Sequence, residues 1–451
     1  MWPHSDIEDG IVSALDNAVL RSAGDGLQLV LDAVRDRVLR LADGEIHQSV
    51  DRQTLRLVVS AVEGERIGVV STGVLVPAEI EAAVERARVN ARLMPPDPHF
   101  AGLPSTGEGP GGEADAYDEA TATAAPEDLS RLVATCIDAA REEGTQPSGA
   151  LRIRERLLLA RNTLGIGTRS ASTEADLSLT CFAGWEGRRA SGYANRFSRR
   201  ISDLDPWAVT REAAGKAKLG RTVRVLGAGS LPALLEPTAV ADLVGLMAWA
   251  GFDATAVREE RSFISGRIGE KILDEKLHLR DDPSHPRTAA PMIDFEGVPR
   301  RPLRLIEAGV PLETATSHRS ARREGVASNG RSADPMTGWS ETVLEHLVVA
   351  PGRDRREDLI RSIKKGVLVS RLWYARTLQP REGTVTALSR DGVLAIEDGE
   401  ITGGAGNFRT NASLLELFGR IAGIGEASVP THGVVAPAIL VEALPLSSPS
   451  A

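Results

Sequence analysis

GVLVSRLWYARTLQPREGTVTALSRDGVLAIEDGEITGGAGNFRTN, residues 366–411, decides the fold class of this chain. Residues 366–376 are apolar and β-prone, Pro380 stops them, and three short segments follow, divided at Ser389-Arg390-Asp391-Gly392 and at Glu397-Asp398-Gly399. Asp-Gly between apolar runs predicts a tight hairpin turn, because such a turn needs positive φ and glycine adopts it without steric cost. An antiparallel meander is expected, closing in Gly403-Gly404-Ala405-Gly406 and then Asn407-Phe408-Arg409-Thr410-Asn411. A helix comes next: Ser413 and Glu416 stand in capping-box spacing, and Leu414, Leu417, Phe418 and Ile421 share one face.

Upstream, the pattern is mixed. A first helix over residues 7–21 precedes strands over 27–71, joined by turns at Asp43-Gly44 and Glu63-Gly64. Pro77 opens a helix to Leu93 with Ile80, Ala83, Val84 and Ala87 on its apolar face. Residues 95–118 hold five prolines among glycines and acids, which predicts a flexible loop. Another amphipathic helix follows over 126–143, then strands over 151–161 and 175–182, then a helix over 206–219 that ends the first domain. A second domain starts near Val223, with an apolar run at 231–235 and a helix begun by Glu236-Pro237-Thr238, bearing Val240, Leu243, Val244 and Met247 on one face.

The chain has 451 residues, enough for two domains, and 42% apolar residues supply a substantial core. A net charge of −9 argues against an extended nucleic-acid surface, and the basic runs at 196–200 and 319–323 lack aromatics interleaved for base stacking. Two cysteines, Cys136 and Cys181, build no disulfide framework; both fall in apolar stripes and point to a reducing compartment. There is no apolar run long enough for a membrane span, and residues 1–6 do not look like a basic leader, so a cytoplasmic protein is expected.

The order G-x-L-V-x-R-L-W-Y-x-R, R-D-G-x-x-x-I-E-D-G-x-I-x-G and N-F-R-x-N across residues 366–411 resembles the C-terminal block of the TldD/PmbA (TldD/TldE) metalloprotease family. Asn162-Thr-x-Gly165, residues 262–270, residues 294–299 and Leu305-Ile-Glu-Ala-Gly309 are similar to further segments of that family, so the resemblance spans roughly 25–445. Together with the periodicities it implies an α+β fold. Residues 1–220 are expected to form an N-terminal domain with an antiparallel sheet. Residues 221–445 should form a predominantly antiparallel, barrel-like β domain with flanking helices, and 446–451 a disordered tail.

TldD-type members carry H-E-x-x-x-H on the first helix of the second domain, with a cysteine near the C-terminus; two imidazoles a turn apart bind zinc while the Glu activates water. On the corresponding helix here Gly245 and Ala250 stand where the histidines would be, and Leu246 where the Glu would be. No cysteine follows Cys181, and the eight histidines form no close pair. A site assembled from distant histidines, for instance His278, His285 and His318, stays open at this point. There is no G-x-S-x-G, no P-loop and no G-x-G-x-x-G after a strand.

Lack of the motif resembles the TldE (PmbA) branch. What that implies is a chain without catalytic or metal-binding residues of its own, paired in a hetero-oligomer with a TldD-like subunit that carries H-E-x-x-x-H, the zinc and the catalytic Glu. The implied substrate is an unfolded or leader peptide, with neither nucleic acid nor membrane as a partner. Arg371, Trp373, Tyr374, Arg376, Asn407, Arg409 and Asn411 are the peptide- or partner-facing candidates; the competing readings are packing inside the fold for the two aromatics and fold-internal pairing for the three arginines. The alternatives are a non-catalytic peptide-binding scaffold, or a divergent enzyme using another chemistry in the same chamber.

Overall fold

A computed structural model of the chain describes residues 6–22, 26–105, 116–184, 190–338 and 340–449; residues 1–5, 106–115 of the Pro-rich loop and 450–451 of the expected tail lie outside it. Six strands, β1 (Gly26–Ala42), β2 (Glu45–Glu63), β3 (Arg66–Thr72), β4 (Gln146–Asn162), β5 (Gly167–Ala183) and β6 (Ala190–Ser198), form an antiparallel sheet in the order β3-β2-β1-β4-β5-β6. Strict alternation gives that sheet two unlike faces. Leu29, Leu31, Leu57 and Leu159 pack under α1 (Asp6–Arg21) and α2 (Pro77–Leu93). Leu151, Ile153, Leu177 and Leu179 pack under α4 (Pro126–Glu142) and α5 (Pro206–Leu219), which follow the single-turn α3 (Glu119–Ala122). Both cysteines lie in this layer, and burial pushes the thiols up to about 12 for Cys136 and about 11 for Cys181, so neither is a poised nucleophile.

The other face carries Asp32, Asp36, Arg152, Arg154, Arg156, Glu174 and Asp176, and lies against the second domain. That domain opens with β7 (Gly229–Leu235) and α6 (Pro237–Gly251). A long irregular stretch follows, containing α7 (Ala254–Arg258), β8 (Leu279–Asp281), β9 (Leu303–Glu307), β10 (Val310–Pro311), α8 (His318–Glu324) and β11 (Leu347–Val349). Here buried side chains replace the missing backbone ladders. Asp294 accepts from the N–H groups of Glu296, Val298 and Ser332, and Asp253 from those of Ala256 and Thr342.

After α9 (Arg356–Arg361) come β12 (Lys365–Gln379), β13 (Thr384–Glu397), β14 (Glu400–Gly404), β15 (Phe408–Ser413), α10 (Leu414–Phe418), β16 (Ile421–Thr431) and β17 (Val434–Pro449). Pairings β7–β12, β12–β13, β13–β15, β15–β17 and β17–β7 close a ring, so the expected barrel is present; β7–β12 is its parallel pair. Closure removes free edges. β12 keeps an open stretch all the same, because β7 pairs only its Val367, Leu368 and Val369, and among the described residues no strand pairs that edge beyond Val369.

Three details differ from the sequence reading. Asp391-Gly392 is not a hairpin turn: β13 runs through it, and the positive φ values of 51° and 101° make a bulge between the Val369–Val393 and Arg371–Arg390 pairs. The true turn is Asp398-Gly399. Ile421 begins β16 instead of extending the helix, and Ser413 caps α10 through the Glu416 N–H alone. Residues 446–449 belong to β17, where Leu446 pairs with Gly229 and is buried, so the tail reading fails there. The described part of the Pro-rich loop is anchored across both domains: the Pro104 carbonyl accepts from Asn162, and Asp97 pairs with Arg319 at 2.8 Å.

The domains interlock. Ile293 and Phe295 insert among Val30, Leu158, Ala160 and Ile166. Gly297 sits at φ 75°, where a Cβ would come within 2.6 Å of the Ala160 methyl, so only glycine allows this approach.

Candidate functional site

Helix α6 is apolar on nearly every side and buried in the core of the second domain, except along one stripe. Gly245, Ala248 and Trp249 on that stripe line a cavity of about 580 Å³ between the domains. Opposite them lie Arg152, Arg154, Glu174, Asp176 and Phe197 of the first domain, and the rim includes Asp253, Glu345, His432 and Val434. The helix singled out in the sequence therefore does face an interdomain chamber.

Its side chains do not fit zinc. Gly245 offers no donor, Leu246 packs against the core, and Ala250 is buried, so an imidazole there would overpack at a cost of about 1–3 kcal/mol. Among the described residues no group of three or more His, Cys, Asp or Glu side chains is placed to hold a metal. His278, His285 and His318 are not brought together: the ring nitrogens meet the Ala308 N–H, the Arg287 N–H and the Ala101 carbonyl respectively. A Cβ at Gly245 would meet no heavy atom within 4 Å. Gly245→Ala is accordingly expected to stabilise the chain by about 0.4–1 kcal/mol, through helix propensity and a less flexible unfolded state. Chemical denaturation measures it, and a loss of stability would show that the cavity wall needs the glycine.

Beside this stripe sits an ion and hydrogen-bond cluster absent from the sequence reading. His432 and Gly433 form the two-residue turn between β16 and β17, both at positive φ, 47° and 80°. The turn aims His432 at the first domain. Its Nδ1 lies 3.5 Å from the Asp176 carboxylate, its Nε2 3.0 Å from the Tyr193 hydroxyl, and its backbone N–H donates to Asn195. Asn195 and Ser178 also donate to Asp176. The Arg371 guanidinium stacks 4.0 Å from the Tyr193 ring centroid and pairs with Asp391 in the bulge. Burial pushes the Asp242 carboxyl of α6 up to about 6, although it accepts the Leu372 N–H and feels His432 and Arg371.

Burial alone lowers the His432 imidazole, but the hydrogen bond and charge of Asp176, with Asp242 behind it, outweigh that and hold its pKa above 6.5. A raised pKa contributes stability that is present below the unfolded value and lost as pH rises through the folded one. The protection factor of the β16–β17 turn in hydrogen exchange, corrected for the intrinsic rate at each pH, should therefore fall as pH rises past that point. In Asp176→Asn the dependence should flatten; an unchanged profile would contradict the pairing.

Six of the seven candidates chosen from sequence occupy one region. Register places Trp373, Leu388 and Arg409 in one cross-strand row, and Arg376, Thr386 and Asn411 in the next, across β12, β13 and β15. Trp373 is 37% exposed and Tyr374 65%, so the packing reading fails for Tyr374 in particular. Tyr374 has φ 50°, a conformation costly for an aromatic residue, within a register break between Trp373 and Arg376. Arg371 and Arg390 both stack on Trp373, at 5.3 and 4.8 Å. Asn407 stands apart, by the 226–228 loop.

The missed residues had a signal. Arg152, Arg154 and Arg156 alternate with Leu151, Ile153 and Glu155, which marks a half-buried strand with one densely charged face. His432 had none, because Asp176 and Tyr193 are distant in the chain.

The profile of the PmbA/TldA metallopeptidase C-terminal domain matches residues 228–448. The crystal structure of TldE from Thermococcus kodakarensis superposes with a TM-score of 0.88 over 96% of this chain and 100% of that one, at 24% identity. A Methanothermobacter thermautotrophicus protein named a metalloprotease is 28% identical over 179 residues, 38% of this chain and 38% of its own length. An uncharacterised Methanocaldococcus jannaschii protein is 31% identical over 101 residues, 22% of this chain and 24% of its own length. These two alignments thus span well under half of either curated relative. No helix among the described residues is long and apolar enough to cross a membrane.

Proposed function

Because the chain belongs to the TldD/PmbA family, we propose that it is the non-metal-binding, TldE-like subunit of a heteromeric peptidase acting on unfolded or leader peptides. The partner in this reading is a TldD-like chain that carries H-E-x-x-x-H, the zinc and the catalytic Glu. The observation that carries it is the stripe of α6: it faces an interdomain chamber, yet presents Gly245, Ala248 and Trp249 there. A fold that keeps the chamber and lacks the donors suits a chain that shapes a shared substrate space while chemistry happens next door.

The open edge of β12 supports a role in holding peptide. An extended peptide can add to an unpaired strand edge through main-chain hydrogen bonds, which read backbone with little regard for sequence. Folded proteins offer no free strand, so such a surface selects for unfolded chains. Trp373, Tyr374, Arg376, Arg409 and Asn411 flank that edge and the adjoining barrel face, available to peptide or to the partner subunit.

The direct experiment is reconstitution. Purified alone, the chain should leave an unfolded peptide uncut; mixed with an H-E-x-x-x-H-bearing family member, it should raise hydrolysis above that member alone. Hydrolysis by the isolated chain with stoichiometric zinc would overturn the reading.

A further inference from the structure

The charges lining the cavity do not balance. Two arginines, Arg152 and Arg154, face four carboxylates: Glu174, Asp176, Asp253 and Glu345. Three of those four are accounted for. Asp176 is held by Asn195, Ser178 and His432; Asp253 caps α7 and takes the Thr342 N–H and hydroxyl; Glu345 pairs with Arg300 and lies 3.7 Å from Arg156. Glu174 has no hydrogen bond or ion pair among the described residues. Its cross-strand neighbour Arg154 leans the other way, donating from Nε to Asp36 at 3.0 Å, and Arg152 does the same at 2.9 Å.

A half-buried carboxylate that lines a cavity and has no partner leaves its charge open to a cation supplied from outside. Burial also raises the Glu174 carboxyl above its usual range, although Arg154 and Arg156 pull it down. The opposite wall carries Trp249, 51% exposed although it is the largest side chain type, and an indole face attracts cations. The volume of about 580 Å³ lies in the range of ligand cavities and far above that of a single water.

We propose that this cavity binds an organic cation, the alkylammonium or guanidinium group of a peptide, with Glu174 as its counter-charge and Trp249 as the wall it lies against. The peptide as carrier rests on the proposed function; the need for a cation rests on Glu174 alone. The surplus of carboxylates disfavours acidic ligands at the same place.

Calorimetric titration of the full chain tests this with three probes: acetyl-Gly-Lys-Gly-amide, acetyl-Gly-norleucine-Gly-amide and the uncapped Gly-Gly-norleucine-amide. At least one cationic probe should bind ten-fold or more tightly than the capped norleucine peptide, and which one does so tells a side-chain cation from an amino terminus. Glu174→Gln should abolish the difference while its melting temperature stays near that of the parent. If that variant melts early, Trp249→Ala, at an exposed position, should weaken the cationic probe several-fold. Equal binding of all three probes, no binding of any, or a folded Glu174→Gln that still prefers the cation overturns the proposal. The assay needs no partner and no hydrolysis, so a chain that binds the cation but activates no peptidase would sink the subunit reading alone.

Discussion

Glu236→Ala should lower folding stability by about 3–5 kcal/mol, the cost of stranding one charge of a buried pair. Glu236 stands just before α6, and its carboxylate meets Lys216 of α5 at 2.5 Å, Arg356 at 2.7 Å and the Ser370 hydroxyl at 2.9 Å. Both Lys216 and Glu236 are buried where the domains join. Burial pushes the Glu236 carboxyl up, but Lys216 and Arg356 outweigh it and bring it down to about 2. Burial likewise lowers Lys216, and Glu236 with Glu212 reverses that. A depressed carboxylate contributes stability present above its unfolded value near 4.5 and lost as pH falls toward 2. The parent should therefore lose stability over that acid window more steeply than Glu236→Ala. Denaturant titrations across pH measure both effects, and a loss below about 1 kcal/mol near neutrality would mean that Glu212 alone satisfies Lys216.

Arg331→Ala should cost a similar amount, about 3–5 kcal/mol, because it too strands one charge of a buried pair. Arg331 and Asp281 are both 0% exposed, with Nη2 2.5 Å from the carboxylate. Arg331 also donates to the carbonyls of Asn329 and Arg301 at 2.6 and 2.7 Å, stitching together a stretch with almost no strand or helix. Burial raises the Asp281 carboxyl, but Arg331, His346 and Arg300 hold it below its usual value, so removing the guanidinium strands a charge. Lysine should not rescue the variant, because one ammonium cannot reproduce the planar fork. Equal stability of Arg331→Lys and the parent, by urea denaturation, would contradict this.

Much of the fold could be read from periodicity. Pro77, Pro126 and Pro206 open helices where sequence places them, and the apolar faces of α2 and α4 are the buried ones. Asp391-Gly392 misled because positive φ serves a bulge as well as a turn, and only the partner strand distinguishes them. Leu446 looked like tail because its partner, Gly229, is remote in sequence. The site was legible in one half: α6 and its missing donors are contiguous, whereas Glu174, Asp176, Tyr193, Arg371 and His432 meet only once the domains dock. That docking depends on Phe295, Gly297 and Lys216; the first two fall in the family-like segment 294–299, but nothing in that segment tells that it inserts into the first domain.

The central claim is that this chain supplies chamber and substrate surface to a zinc-bearing relative. Co-purification with an H-E-x-x-x-H-bearing family member, followed by hydrolysis of an unfolded peptide by each chain and by the mixture, tests it most directly. The account predicts a stable hetero-oligomer, no turnover by this chain alone and turnover by the mixture above that of the partner alone. Failure to associate, or full activity of the partner without this chain, would contradict it.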